Sequence, residues 1–315
     1  MTDIPRLSVG LPVYNGQRYL AEALDALLGQ SFTDFELIIS DNASTDETEE
    51  ICRRYVTRDP RIRYIRQPRN IGLNPNHNFV LREARGEYFK WAAYDDLYGR
   101  HLLARCVAAL DEYPDVVLSH ADKAVIDESG TVVRRFDYTL ATGSTNITER
   151  FRSVVVADGA DDEYGVIRTH VLRSIRPKDS YHHAARPFVA EIAFRGRFHQ
   201  IRELLYFRRD HPDRGDRNPT IPALCTNLDP RRAGQGTARL IAEYAYRFFE
   251  AVARAPISPA ERWACYRILF PHLMRSGLHR VISRNGDPLF AASRFPTTPP
   301  YLPASDKTTK GDTTS

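Results

Sequence analysis

Tyr88-Phe89-Lys90-Trp91-Ala92-Ala93-Tyr94-Asp95-Asp96 is an apolar, aromatic run that ends on two adjacent carboxylates. A buried strand of an α/β sheet delivers such a pair to its carboxyl edge, where like charges side by side repel. A divalent cation bound by oxygen ligands removes that repulsion and supplies a Lewis acid. Read alone, the pair also fits an exposed strand-to-helix turn, with Asp96 capping a helix that begins near Leu97. The rest of the chain decides between the two.

Upstream of this run, strand and helix alternate. Leu7–Leu11 is β-rich and stops at Pro12, and Tyr19–Leu28 carries Leu20, Ala23, Leu24, Leu27 and Leu28 at helical spacing. Phe35–Ile39 is a second strand ending in the polar turn Ser40-Asp41-Asn42-Ala43-Ser44-Thr45-Asp46, followed by a helix through Cys52 and Tyr55. Ile62–Ile65, Tyr88–Ala93 and Val116–Ser119 complete the strands, with helices over Asn76–Ala84 and about Tyr98–Glu112 between them. Strands separated by helices imply right-handed crossovers and a mainly parallel sheet flanked by helices. Ligands bind such sheets outside the carboxyl ends of the strands. Asn15, Asp41, Asn70 and Asp95/Asp96 all follow strands, so they converge on one edge although they span eighty residues.

Composition limits the function classes. The chain has 315 residues, 42% of them hydrophobic, and a formal charge of +4 without a dense basic run, which argues against nucleic acid as a partner. Cys52, Cys106, Cys225 and Cys265 are scattered with no metal-binding spacing, so reduced thiols are expected. The N-terminus lacks an apolar leader and no stretch reaches membrane-spanning length, from which a cytoplasmic protein is expected. Beyond Gly130 the pattern is irregular, with candidate segments at Ser153–Val156 and Tyr164–Ile167. A helix over Pro187–Phe194 and a strand over Ile201–Arg208 follow. Residues 210–236 read as a linker, then helices over about Thr237–Ala253 and Pro259–Ser283. The expected division is a first domain over 1–215, a helical region over 216–295 and a disordered tail over 296–315.

The strings Ser8-Val9-Gly10-Leu11-Pro12-Val13-Tyr14-Asn15, Ser40-Asp41-Asn42-Ala43-Ser44-Thr45-Asp46, Arg69-Asn70-Ile71-Gly72 and Asp95-Asp96 resemble, in order and spacing, glycosyltransferase family 2. The resemblance covers roughly residues 5–120 and implies the GT-A fold (Rossmann-like) with a C-terminal helical appendage. It implies an inverting transferase that moves a sugar from a nucleoside-diphosphate donor to an acceptor hydroxyl. By the same resemblance Pro12, Tyr14 and Asn15 shape the floor under the nucleotide, and Asp41 accepts hydrogen bonds from the base. Asn70 and Gly72 sit near the diphosphate-sugar, and Asp95 and Asp96 hold Mg²⁺ or Mn²⁺. Ala93 stands where the family often has a further Asp, which makes Asp95 the main metal ligand and leaves Asp96 to orient the sugar or assist the metal. Ser44, Thr45 and Asp46 read as caps of the next helix.

The acceptor side departs further. The family's catalytic acid lies about eleven residues before the glycine that here is Gly196, which puts Ala185 in its place. His183 is the closest titratable candidate for the base, with Asp179 as the other. Arg208-Arg209-Asp210-His211 resembles the segment that closes over the diphosphate, with Arg209 pairing phosphate oxygens and His211 reaching the metal or a phosphate.

The expected partners are therefore a nucleoside-diphosphate sugar and a hydroxyl acceptor (saccharide, lipid-linked or small molecule). Trp263, Tyr266, Ile268, Leu269, Phe270 and Leu273 interleave with Arg262, Arg267, Arg275 and Arg280, a pattern that admits a membrane-surface helix at the inner face as well as plain packing or self-association. Two other readings stand beside this one. A degenerate member that binds a nucleotide-sugar without turnover follows from Ala185. A nucleotidyltransferase is disfavoured, because Pro12-Val13-Tyr14-Asn15-Gly16 is not a Gly-rich, basic loop.

Overall fold

The computed structural model describes residues 4–156, 161–214 and 220–282. In chain order the elements are β1 (Leu7–Val13), α1 (Leu20–Leu28), β2 (Phe35–Asp41), α2 (Thr48–Val56), β3 (Ile62–Arg66), α3 (Leu73–Glu83), β4 (Tyr88–Trp91), β5 (Leu97–Tyr98), α4 (Leu102–Glu112), β6 (Val116–Ile126) and β7 (Val132–Arg135). There follow α5 (Ile147–Val156), a 3₁₀ turn (Asp161–Tyr164), β8 (Val166–Arg168), α6 (Thr169–Ser174), α7 (Ala185–Ala193), β9 (Arg197–Arg209), α8 (Ile221–Leu228), a 3₁₀ turn (Pro230–Arg232), α9 (Thr237–Arg254) and α10 (Pro259–Ile282).

The sheet order is β3-β2-β1-β4-β8-β6-β9-β5, with β7 on β6. The first four strands in space are parallel, so Val13, Asp41, Arg66 and Trp91 finish at one edge. β8 runs antiparallel between β4 and β6, and β6 and β9 are parallel again. The sheet is thus parallel in its N-terminal half and mixed beyond β4. The reversal puts the turn that precedes β8 on the same edge as the ends of β1–β4.

β1 is buried on both faces because it lies in the centre. Leu7, Val9, Leu11 and Val13 enter one core with Leu20, Leu24 and Leu27 of α1, whose spacing of three and four residues makes one apolar stripe. On the other face a Cβ on Gly10 would lie 2.6 Å from the Val80 side chain, so glycine is what lets α3 cross so close. β1 runs past Pro12, which was expected to stop it. Gly10 accepts from the Ala92 amide, and by alternation Pro12 faces β4 too, where β4 has already left the ladder. Its missing N–H costs no bond there.

The irregular stretch is more ordered than the sequence reading expected. Asn146 accepts from the amides of Thr148 and Glu149 and starts α5, of which Ser153–Val156 is the last turn. Inside the expected linker, Thr220 caps α8 through the Ala223 amide, and Pro222 stands in the first turn, where a proline is tolerated. α9 and α10 send Tyr244, Phe248, Val252, Cys265 and Leu269 into the same core as Phe151 and Val189. The expected tail over 296–315 lies outside the described residues.

Candidate functional site

The carboxyl edge is stitched together by its own turns. Asn15, in the left-handed region at φ 50°, accepts from the Thr45 amide at 2.9 Å while its own amide donates to Ser44 Oγ. Gly16 N donates to Thr48 Oγ1, and Gln17 N to Asp46 Oδ2. Ser44 and Asp46 therefore join the β1 turn to the β2 turn. Of the expected caps, Asp46 alone also accepts from a first-turn amide, that of Thr48. Asn42 and Asn70 lock the next pair of turns, with Asn42 Nδ2 donating to Asn70 Oδ1 at 2.9 Å and Ile71 N to Asn42 Oδ1 at 2.8 Å.

Asp41 is completely buried and accepts from Ser44 N, from the Tyr64 hydroxyl at 2.7 Å and from Arg66 at 2.6 Å. Burial acts to raise its carboxyl, but these hydrogen bonds outweigh burial and leave it below the usual carboxylate range. Its oxygens are thus engaged within the chain, and Arg66 is the cation beside them. Tyr14 stands at the rim, 42% exposed, next to the strand end that Pro12 and Val13 form. Gly72 has φ 93°, and a Cβ there would lie 2.8 Å from the Asp229 Cα. What approaches Gly72 is therefore the segment that joins α8 to the Pro230–Arg232 turn.

The two carboxylates that end the β4 run face different ways. Asp95 Oδ2 lies 2.9 Å from His211 Nε2, and the His211 ring packs tilted against Tyr19 at 5.0 Å. Nδ1 of the same imidazole is buried without a hydrogen-bond partner among the described residues. Asp96 is 2% exposed, accepting from the Tyr206 hydroxyl on Oδ2 and from Arg209 N at 2.9 Å on Oδ1. Burial, together with the charge of Asp95, pushes the Asp96 carboxyl above its ordinary range despite Arg214 nearby. Both oxygens of Asp96 thus accept a bond from β9, which anchors that strand at the site.

Arg209, expected to pair phosphate oxygens, is enclosed by the chain. It is 1% exposed, and its guanidinium donates to Asp95 O, Asp127 O, Glu128 O and Glu22 Oε2. A cation so enclosed braces the site. Arg214, which the sequence reading passed over, is the basic residue of this segment whose charge reaches Tyr94 and Asp96. Its signal was only its place three residues after His211.

The donor set fits a hard cation in part. Asp95 offers a carboxylate oxygen and His211 a nitrogen, and among the described residues no third His, Cys, Asp or Glu clusters with them. Further ligands of a cation there must come from substrate and water.

On the acceptor side, α7 begins at Ala185. His183 is exposed at φ 56°, its ring tilted against His182 at 3.8 Å and 6.2 Å from the Tyr244 ring of α9. Asp179 is held by Arg232 and, at 3.0 Å, by Arg247. The sequence reading missed Lys178 and Glu163, a buried pair with Nζ and Oε1 2.9 Å apart. Only the polarity of these two residues in apolar surroundings could have drawn attention to them.

Among the described residues no helix is long and apolar enough to cross a membrane. α10 buries Cys265 and Leu269 and leaves Trp263, Phe270 and Met274 exposed on the opposite face.

Comparison with known proteins gives a consistent result. Residues 8–160 match the family model described as Glycosyl transferase family 2. An uncharacterized protein, y4gI, of Sinorhizobium fredii is 33% identical over 129 residues, 40% of this chain and 14% of that protein. A putative glycosyltransferase, EpsE, of Bacillus subtilis is 34% identical over 131 residues, 41% of this chain and 47% of its own length. The chain thus spans less than half the length of these curated relatives. Among solved structures, S. aureus TarS 1-349 in complex with UDP superposes with a TM-score of 0.62 at 19% identity, over 89% of this chain and 73% of that one. Mannosyltransferase PcManGT from Pyrobaculum calidifontis, in complex with GDP-Man and Mn2+, gives 0.51 at 17% identity, over 91% and 78%. At these identities the structural likeness speaks for the fold. The fold is GT-A, and residues 8–160 are similar to glycosyl transferase family 2.

Proposed function

We propose that this protein transfers a sugar from a nucleoside-diphosphate donor to an acceptor hydroxyl by an inverting displacement. The observation that carries this reading is the Asp95–His211 pair, 2.9 Å apart, at the edge where β1, β2, β3 and β4 all end. The nucleotide lies along the ends of β1 and β2, beside Tyr14, Asn15 and Arg66, with Asn70 close by. Asp95 and His211 hold Mg²⁺ or Mn²⁺ there, which when bound supplies charge stabilisation to the departing diphosphate. Arg214 adds a cation on the same side. Two of the solved neighbours, with UDP and with GDP-Man and Mn2+, support a nucleotide-sugar as donor.

The test is calorimetric titration with UDP-, GDP- and dTDP-sugars with and without Mn²⁺. Metal-dependent binding of at least one nucleotide, weakened by Asp95→Ala, is expected. Binding indifferent to both metal and Asp95 overturns the metal reading, and no binding of any donor overturns the transferase reading. A second reading, a nucleotide-sugar binder without turnover, is favoured by Ala185 in the first turn of α7. The exposed Trp263, Phe270 and Met274 beside Arg267 support contact with a membrane surface as a further property.

A further inference from the structure

We infer that Glu163 is the general base that deprotonates the acceptor hydroxyl and that Lys178 positions it; this rests on the transferase reading above. A direct displacement needs a proton acceptor on the acceptor side of the sheet edge. The first turn of α7, which the resemblance assigns to that acid, presents the methyl group of Ala185. Neighbouring candidates do not stand in its place. His183 lies against His182 and toward Tyr244, Asp179 is clamped by two arginines, and Glu191 is buried six residues further along α7.

Glu163 is placed differently. It belongs to the 3₁₀ turn before β8, and that turn packs against both β4 and α7. Its Oε1 lies 2.9 Å from Lys178 Nζ, and both side chains are less than one-tenth exposed. The ammonium stands 4.8 Å from the ring of Trp91, the last residue of β4, and 5.8 Å from Phe188. Phe188 follows Ala185 by three residues, so the two share a face of α7. The carboxylate is therefore bracketed by the strand that delivers Asp95 and the helix turn that lacks an acid.

Lys178 is itself fixed from the donor side. Its N–H donates to Asn78 Oδ1 at 2.9 Å, and Asn78 Nδ2 donates to its carbonyl at 2.7 Å. One turn earlier on α3, Asn74 donates to Asp179 O at 2.6 Å. The helix that starts at the nucleotide edge thus holds the residue that holds the base. In the step, the acceptor O–H proton passes to Glu163 as the acceptor oxygen bonds to the anomeric carbon. The bond from that carbon to the diphosphate oxygen breaks, and its electron pair leaves with the nucleoside diphosphate.

The experiment follows UDP release from UDP-GlcNAc and GDP release from GDP-mannose with Mn²⁺, water serving as acceptor, and nucleotide binding by calorimetry. It compares the wild type, Glu163→Gln, Ala185→Asp and the double variant. Glu163→Gln is expected to bind nucleotide within about twofold of wild type, to release it about a hundredfold more slowly and to lose the acid limb of the pH–rate profile. In the double variant the Ala185→Asp change returns a carboxylate to the first turn of α7, and roughly tenfold or more of the rate is expected back. Unchanged release by Glu163→Gln overturns the assignment alone, as does joint loss of binding and rate that the double variant does not recover. Binding without turnover by the wild type overturns it too, and turnover gained by Ala185→Asp then identifies the missing acid. A wild type that binds neither nucleotide overturns the transferase reading and the base with it.

Discussion

Nε2 of His211 and Oδ2 of Asp95 lie 2.9 Å apart although 116 residues separate them in the chain. The contact joins the end of the β4 run to the segment after β9, so whatever binds at Asp95 also holds that segment down. His211→Ala and Asp95→Ala are each expected to weaken Mn²⁺-dependent UDP or GDP binding by about tenfold or more, the usual cost of losing a charge-assisted ligand (about 1.5–3 kcal/mol). Calorimetry at fixed Mn²⁺ checks this. A double variant no weaker than either single one is the signature of a coupled pair.

Arg209 is a brace, so its removal is expected to register in stability. Arg209→Met leaves the carbonyls of Asp95, Asp127 and Glu128 without their donor inside the fold. A loss of roughly 3 kcal/mol is expected from so many charge-assisted bonds in a buried place. The urea midpoint measures it, and a shift below about 1 kcal/mol speaks against a bracing role.

His77 predicts a dependence on pH. It is buried, and burial, with the Lys178 charge adding to it, pushes the imidazole down to about 3 from 6.5. Below pH 6.5 the unfolded chain takes up a proton that the folded one refuses. The stability from this group is thus complete above pH 6.5 and falls by about 1.4 kcal/mol per pH unit toward pH 3. Urea unfolding at pH 7.0 and 5.5 tests it, with His77→Gln as the comparison. The wild type should lose more stability than the variant over that interval, and equal losses refute the attribution.

Gly72→Ala is expected to be costly for two reasons that act together. The backbone sits at φ 93°, and the new methyl meets the Asp229 Cα and Leu228 O at 2.8 Å. A loss of about 1–3 kcal/mol follows. Thermal melting reads the loss, and faster proteolysis near residues 228–230 reads the displacement of the segment that leans on Gly72.

The sheet edge was legible because a strand followed by a polar turn leaves a local trace, and four such traces in order fix a topology. Asn15, Asp41 and Asn70 are brought to that edge as the alternation required. Orientation was not legible. Arg208-Arg209-Asp210-His211 reads the same whether a guanidinium faces phosphate or the chain, and the choice is made by Glu22, 187 residues away. Asp96 is decided likewise by Tyr206 and the Arg209 amide. α8 escaped notice because Pro222 reads as a breaker unless its place in a first turn is known. Glu163 and Lys178 carry no motif at all, and they become a pair only when β8 reverses direction between β4 and β6.

The stretch Lys178–Asp179 is gripped from two sides, by Asn74 and Asn78 of α3 and by Arg232 and Arg247 of the C-terminal part. That bears on how this chain can be recombined with a similar one. A chimera joined near residue 215 inherits one half of the grip from each parent, and matched Asp–Arg contacts then become a matter of chance. A joint placed before residue 177 carries Lys178, Asp179, Arg232 and Arg247 from a single parent, leaving only the two asparagines of α3 to be matched.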